Sequence, residues 1–169
     1  MRTTIGIDVA APAGKVFALA RDVSGWPALL PHYRKVTIHS RNGDRVVATM
    51  AATRPLGPVG VPVSWRSECW SDDRDAADLR LRFVHLAGAT RGMDVTWHIR
   101  PTRTGSRVTI QHEFSRPLPL LGADLLPRLI DRLFVRAIAG RTLATFKALA
   151  EADGEGPSKA GAATPAKVA

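Results

Sequence analysis

Two histidines stand where a core should be. His112 keeps step with Val108, Ile110 and Phe114, while Arg107, Thr109, Gln111 and Glu113 take the alternate positions. That period of two places its ring on the apolar face of a half-buried strand, where a polar atom needs a partner, a water or a ligand. His85 ends a second such run, Leu79-Leu81-Phe83-His85, against Arg80, Arg82 and Val84. In a closed core these imidazoles are satisfied polar groups. In an open cavity, a base titrating near neutrality can take and return protons. Trp65, Ser67 and Cys69 share the inward parity of a third strand, and Met93 and Trp97 that of a fourth. Tryptophans so placed either fill a core or wall an apolar pocket with few polar groups.

Other chemistries find little support. Cys69 is the sole cysteine, which excludes an internal disulfide and fits a reducing cytoplasm. It faces inward with no base beside it in sequence, a poor setting for a nucleophile. His32, His39, His85, His98 and His112 lack metal-ligand spacing, and no glycine-rich phosphate loop stands at a strand–helix junction. Neither metal nor cofactor is expected.

The elements that must hold these side chains follow from periodicity. Residues 3–10 alternate as a first strand. Pro12 suits the first turn of a helix over 13–20, and Asp22 or Ser24 can cap a second over 26–30, stopped by Pro31. Strands follow around Val36 and Ile38, then around Val46, Ala48 and Met50, with Asn42-Gly43 as the hairpin turn. Residues 54–62 (RPLGPVGVP) carry too much proline and glycine for a ladder and read as a loop or rim. Further strands run over 63–70 and 79–85. A hairpin then spans 92–114, its loop at 101–106 containing Gly105 for positive φ. From about Leu120 the spacing turns helical through Leu126, Leu129, Ile130, Leu133, Phe134 and Ile138 to Leu149, with Pro127 as a kink or fresh start. Residues 153–169, rich in Gly, Ala, Pro, Ser and Lys, read as a disordered tail, leaving 1–152 as one domain.

The expected fold is α+β: a curved antiparallel sheet of about seven strands around one long C-terminal helix, with two short helices after strand 1. One helix on a wide, curved sheet leaves space between them.

This order, with Val16-Phe17-Ala18-Leu19-Ala20-Arg21-Asp22-Val23 and then Trp26-Pro27-Ala28-Leu29-Leu30-Pro31-His32-Tyr33, resembles the START-related, Bet v 1-like helix-grip superfamily. More narrowly it resembles the polyketide cyclase/dehydrase and lipid-transport branch, over roughly residues 3–150. The resemblance implies a deep cavity between sheet and helix for an apolar or aromatic ligand. Trp26 and Tyr33 match a tryptophan and a tyrosine of the branch's aromatase/cyclases. Their Trp-x-Ser-x-Arg strand is matched at Trp65 and Ser67, but Cys69 stands at the arginine position. Arg66, next to it, has the opposite parity.

The expected function is binding of a hydrophobic small molecule of polyketide, quinone or lipid type. The candidate lining is Trp26, Tyr33, Trp65, Ser67, Cys69, Phe83, His85, Met93, Trp97, Phe114, Phe134 and Ile138. The alternative is an aromatase/cyclase performing aldol-type ring closure and dehydration, with His112, Tyr33 and Ser67 as proton-moving and orienting groups. The net charge of +9 adds a third reading, docking to an acidic carrier protein or an anionic membrane through Arg128, Arg132 and Arg136 on one helix ridge. Nucleic acid is not expected, since no exposed aromatic stripe accompanies the arginines. No run reaches the roughly 20 apolar residues of a membrane span, and no secretory signal opens the sequence, so a cytoplasmic location is expected.

Overall fold

The computed structural model describes residues 2–56, 59–88, 90–114 and 137–152. Strand β1 (Arg2–Val9) leads into helix α1 (Ala13–Arg21), a 3-10 turn (Val23–Gly25) and the single-turn helix α2 (Trp26–Leu29). Six strands follow: β2 (Tyr33–Asn42), β3 (Arg45–Leu56), β4 (Val59–Asp72), β5 (Leu79–Gly88), β6 (Met93–Thr102) and β7 (Gly105–Phe114). Helix α3 (Gly140–Ala152) comes last among the described residues. The strands form one curved antiparallel sheet in the order β1-β7-β6-β5-β4-β3-β2. Every neighbour but the β1–β7 pair is a meander partner, so most of the sheet is built from local hairpins.

Parity sets the two faces as the alternating sequence requires. Val46, Cys69, Phe83, Val95 and His112 stand opposite one another across β3 to β7, all on the concave side. That side receives α1, α2 and α3. Helix α3 buries Thr142, Leu143, Phe146 and Ala150, one stripe at helical spacing. Its C-terminal end is tied to the β1–α1 corner: Lys147 Nζ donates to the Asp8 carbonyl at 2.9 Å, Lys15 Nζ to the Ala150 carbonyl at 2.7 Å, and the Ala10 N–H to Glu151 at 2.6 Å. The Asp22 carboxylate accepts from the Ser24 N–H at 3.1 Å and so closes the 3-10 turn.

The convex side is polar. Its most enclosed charge is Asp78, whose carboxylate is held by Arg80 at 2.7 Å, Arg100 at 3.1 Å and His98 at 3.0 Å. Burial alone would raise this carboxyl, but the three hydrogen bonds bring it down to about 2.

Two expectations change. Residues 54–62 are not a loop. Thr53 to Leu56 pair with Val59 to Pro62, and β3 and β4 run on as a two-stranded ribbon. The ribbon extends past both neighbours, since β5 reaches only Gly88 opposite Trp65 and β2 only Tyr33 opposite Ala52. Proline is tolerated there because its missing N–H faces no partner strand. The 101–106 loop shrinks to the two residues Arg103 and Thr104. Gly105, at φ 151°, is needed because a Cβ there would collide with the Val9 carbonyl. Gly140 is the first residue of α3 and follows a π-type turn over 137–139. The helical reading of 120–136, the Pro127 kink and the tail at 153–169 fall outside the described residues.

Candidate functional site

A cavity of about 80 Å³ lies between the concave sheet and the start of α3. Aromatic rings make most of its wall. Trp26, delivered by α2, is the hub: Tyr33 meets it edge-on at 5.1 Å, Phe83 lies at 5.8 Å and Trp97 at 6.0 Å. Its Nε1–H donates to the Ala20 carbonyl at 3.0 Å, which fixes the indole from behind. Met50 and Met93 fill between rings, and Ile138 and Ala139 from the π-type turn close the roof.

One arc of the wall is polar: Tyr33, His85, Thr90, His112 and Thr142. His85 stacks on Trp65 (centroids 6.0 Å apart, planes at 23°), and its Nδ1 lies 2.7 Å from the Thr90 hydroxyl. Burial first, then the nearby His112, push the His85 imidazole down to about 3, so at neutral pH it is uncharged. Burial drives the Tyr33 phenol well above its ordinary value, against a lowering hydrogen bond from Thr142. Tyr33 therefore stays protonated and able to donate. His32, just before β2, meets Thr142 from outside the cavity at 2.9 Å. Its pKa is lowered by burial and by Arg141.

A β-bulge sets His85 in place. Trp65 pairs with Gly88 and Ser67 with His85, so β5 carries one residue more than β4 across that step. The surplus turns Leu86 outward, 43% exposed, and lets the chain bend at Gly88 (φ 94°) and Gly92 (φ 85°). The bend brings Thr90 back against His85.

Of the residues expected from sequence, Trp26, Tyr33, Trp65, Phe83, His85, Met93, Trp97, His112 and Ile138 surround this cavity. Ser67, Cys69 and Phe114 do not. Ser67 is fully buried beneath the wall, and its Oγ has no hydrogen-bond partner among the described residues. Cys69 borders a separate, rear cavity of about 240 Å³ under the β2–β3 turn. Its thiol is pushed up to about 12, first by burial and then by Glu68, so nucleophilic use is disfavoured. Phe114 is half-buried at the end of β7. Phe134 and the Arg128, Arg132 and Arg136 ridge fall outside the described residues. Thr90 and Thr142 went unseen in the sequence, being small polar residues in a bend and on a helix. Buried Arg54 (6% exposed) also went unseen, because it follows Met50 and Ala52 inward inside the segment read as a loop.

At 80 Å³ the cavity has room for roughly half a dozen waters, well below the few hundred Å³ or more of a drug-sized ligand site. Among the described residues, no group of three or more His, Cys, Asp or Glu could hold a metal ion, and no helix is long and apolar enough to cross a membrane.

Solved structures with the same fold include TTHA0849 from Thermus thermophilus (TM-score 0.70, 23% identity, 92% of this chain and 100% of that one). The Zhui aromatase/cyclase from Streptomyces sp. R1128 superposes at a TM-score of 0.72, with 19% identity over 92% of this chain and 96% of that one. A STAR-related lipid transfer protein from Xanthomonas axonopodis gives 0.60, with 12% identity over 86% and 85%. No curated protein matches the sequence significantly. Residues 9–138 match the family described as polyketide cyclase / dehydrase and lipid transport. The seven-stranded sheet gripping a C-terminal helix is the helix-grip fold of the START and Bet v 1-like proteins, and the chain belongs to the polyketide cyclase/dehydrase and lipid-transport family.

Proposed function

We propose that this chain binds an oxygen-bearing aromatic or other apolar small molecule between its sheet and α3. The observation that carries the reading is a wall of four aromatic rings (Trp26, Trp65, Phe83 and Trp97) interrupted by one polar arc. Rings of the ligand stack in the apolar part, and its oxygens meet Tyr33, His112 and Thr142. Cys69, at the position where the branch's cyclases carry arginine, favours carriage over catalysis. The test uses 1-naphthol as probe: a dose-dependent rise in Tm, with quenching of tryptophan fluorescence, is expected. Trp97→Ala should remove both effects. No shift at millimolar probe would overturn the reading.

Aromatase/cyclase activity is the second reading, favoured by the presence of His112, His85 and Tyr33 on the wall of one cavity. In it His112 takes a proton from the carbon between two carbonyls. The carbanion adds to a third carbonyl as Tyr33 donates to its oxygen, and loss of water aromatises the ring. Incubation with a poly-β-ketone mimic tests it. Product distributions that are the same with wild type and His112→Ala would remove the cyclase role.

A further inference from the structure

The front cavity and the rear cavity share a residue. Phe83 lines both, and its ring, packed on Trp26 at 5.8 Å and Trp97 at 6.3 Å, stands between them. A side chain that lines a void forfeits part of its dispersion contacts there, which lowers the cost of moving it. Around it the concave face is continuous. Phe83 stands opposite Cys69, the Ser67–His85 pair is the next inward row toward the front, and Val46 extends the Cys69 row beneath the rear cavity. Ser67, paired with His85 one inward row from Cys69 and lining neither cavity, has a hydroxyl 0% exposed whose oxygen meets no hydrogen-bond partner among the described residues. An orphaned hydroxyl is a cost that a ligand oxygen would relieve. The rear cavity, at about 240 Å³, is the larger of the two, floored by Val46, Cys69 and Leu81 and rimmed by Arg21 and Arg41.

We propose that Phe83 is a movable partition between two compartments of one interior, and that the chain's ligand is an elongated fused-ring molecule. One end would lie against His85 and His112, an oxygen midway against Ser67, and the far end over Cys69. This rests on the binding reading above and adds the size and shape of what is bound. It also accounts for a front cavity of about 80 Å³, too small for three fused rings. With the ring of Phe83 swung aside, the two volumes join into a length that fits three fused rings.

The sole cysteine makes the rear compartment addressable. Two probes are compared: phenol, one ring, and emodin, three fused rings bearing hydroxyl and carbonyl oxygens. Labelling of Cys69 by methyl methanethiosulfonate is timed at mildly alkaline pH, because the buried thiol is hard to ionise. The expected result is that both probes raise Tm while emodin alone slows Cys69 labelling, by roughly tenfold at a concentration near ten times its Kd. Phe83→Leu, which keeps the core filled, should speed labelling and tighten emodin binding severalfold. Ser67→Ala should weaken emodin binding roughly threefold to tenfold without lowering Tm, since no intramolecular hydrogen bond is lost. Cys69→Phe, which fills the rear compartment, should abolish emodin binding and leave phenol binding unchanged, an outcome independent of thiol reactivity. If emodin binds and quenches tryptophan but leaves labelling unchanged and survives Cys69→Phe, the partition does not open, and the proposal fails while front-cavity binding stands. If neither probe binds, both readings fail together.

Discussion

The His32 Nε2 and the Thr142 hydroxyl are hydrogen-bonded at 2.9 Å, and that hydroxyl lies within donating distance, 3.0 Å, of the Ile138 carbonyl. A hydroxyl has a single proton. With that proton on the Ile138 carbonyl, the contact to His32 uses the tautomer that carries its proton on Nε2. The pair joins the start of β2 to the first turn of α3 across 110 residues, at the roof of the front cavity.

Removing the acceptor should expose that dependence. Thr142→Val keeps the shape and leaves the buried His32 Nε2 without this partner, a loss of about 1–3 kcal/mol. Urea denaturation should show it, and Thr142→Ser should restore most of it. Equal stability of the valine and wild-type proteins would mean that the bond contributes nothing net.

Acid should destabilise the fold over a window set by His85 and Asp78. The folded value for His85, about 3, lies below its ordinary 6.5. Above pH 6.5 the ring is neutral in both states, so its contribution to stability is fully present. As pH falls toward 3 the unfolded chain takes a proton that the folded chain refuses, and stability is lost. Asp78, lowered to about 2 from 3.8, acts with the same sign between those values. A loss on the order of a few kcal/mol is expected between pH 7 and 4, mostly from His85. His85→Gln should flatten the slope above pH 4, and an unchanged slope would assign it to other groups.

Asp78 should matter more than a surface carboxylate does. Asp78→Asn strips the charge from beneath Arg80, Arg100 and His98 and leaves three donors crowded around one amide. The side chain is 8% exposed, so a cost of about 1–3 kcal/mol is expected, where an exposed ion pair would give less than 1. Added salt should recover part of the loss by screening the clustered cations. A variant within a few tenths of wild type would show that water replaces the carboxylate.

Gly88→Ala tests the bulge. At φ 94° an added Cβ is strained, and it would lie 2.6 Å from the Ser64 carbonyl. The expected outcome is a fall of several degrees in Tm, together with a changed environment of Trp65, which stacks on His85. Retained Tm and unchanged tryptophan emission would show that the bend adapts.

The net charge of +9 supports weak attraction to anionic surfaces. Association with phosphatidylserine vesicles is expected at low salt and should vanish near physiological ionic strength. Reversing Arg128, Arg132 and Arg136 together should abolish it while 1-naphthol binding persists. Binding by the triple variant equal to wild type would make the ridge an ordinary solvated face.

Element order, hairpins and the inward tryptophans were legible because a period of two leaves few choices about which side chains meet the core. His112 stood out for the same reason. The ribbon at 53–62 was not legible, since proline argues against a strand only where a neighbouring strand would use the missing N–H. The bulge left no signature either: Leu86-Ala87-Gly88 continues an apolar run, and the extra residue shows only in register against β4. Ser67 and Cys69 were rightly read as inward, yet parity cannot tell a cavity wall from the floor beneath it. That distinction depends on where the ring of Phe83 comes to rest.

The pairing of β1 with β7 has a consequence for how the chain is made. Arg2 to Val9 hydrogen-bond with Ser106 to Glu113, about a hundred residues later. During synthesis at 5–20 residues per second, β1 would wait roughly 5–20 s for its partner strand. Meanwhile β2 to β6 can zip up as successive hairpins without it. The N-terminal strand should therefore dock late, and a ribosome-stalled chain ending before Gly105 should leave it open to protease while the meander is already protected.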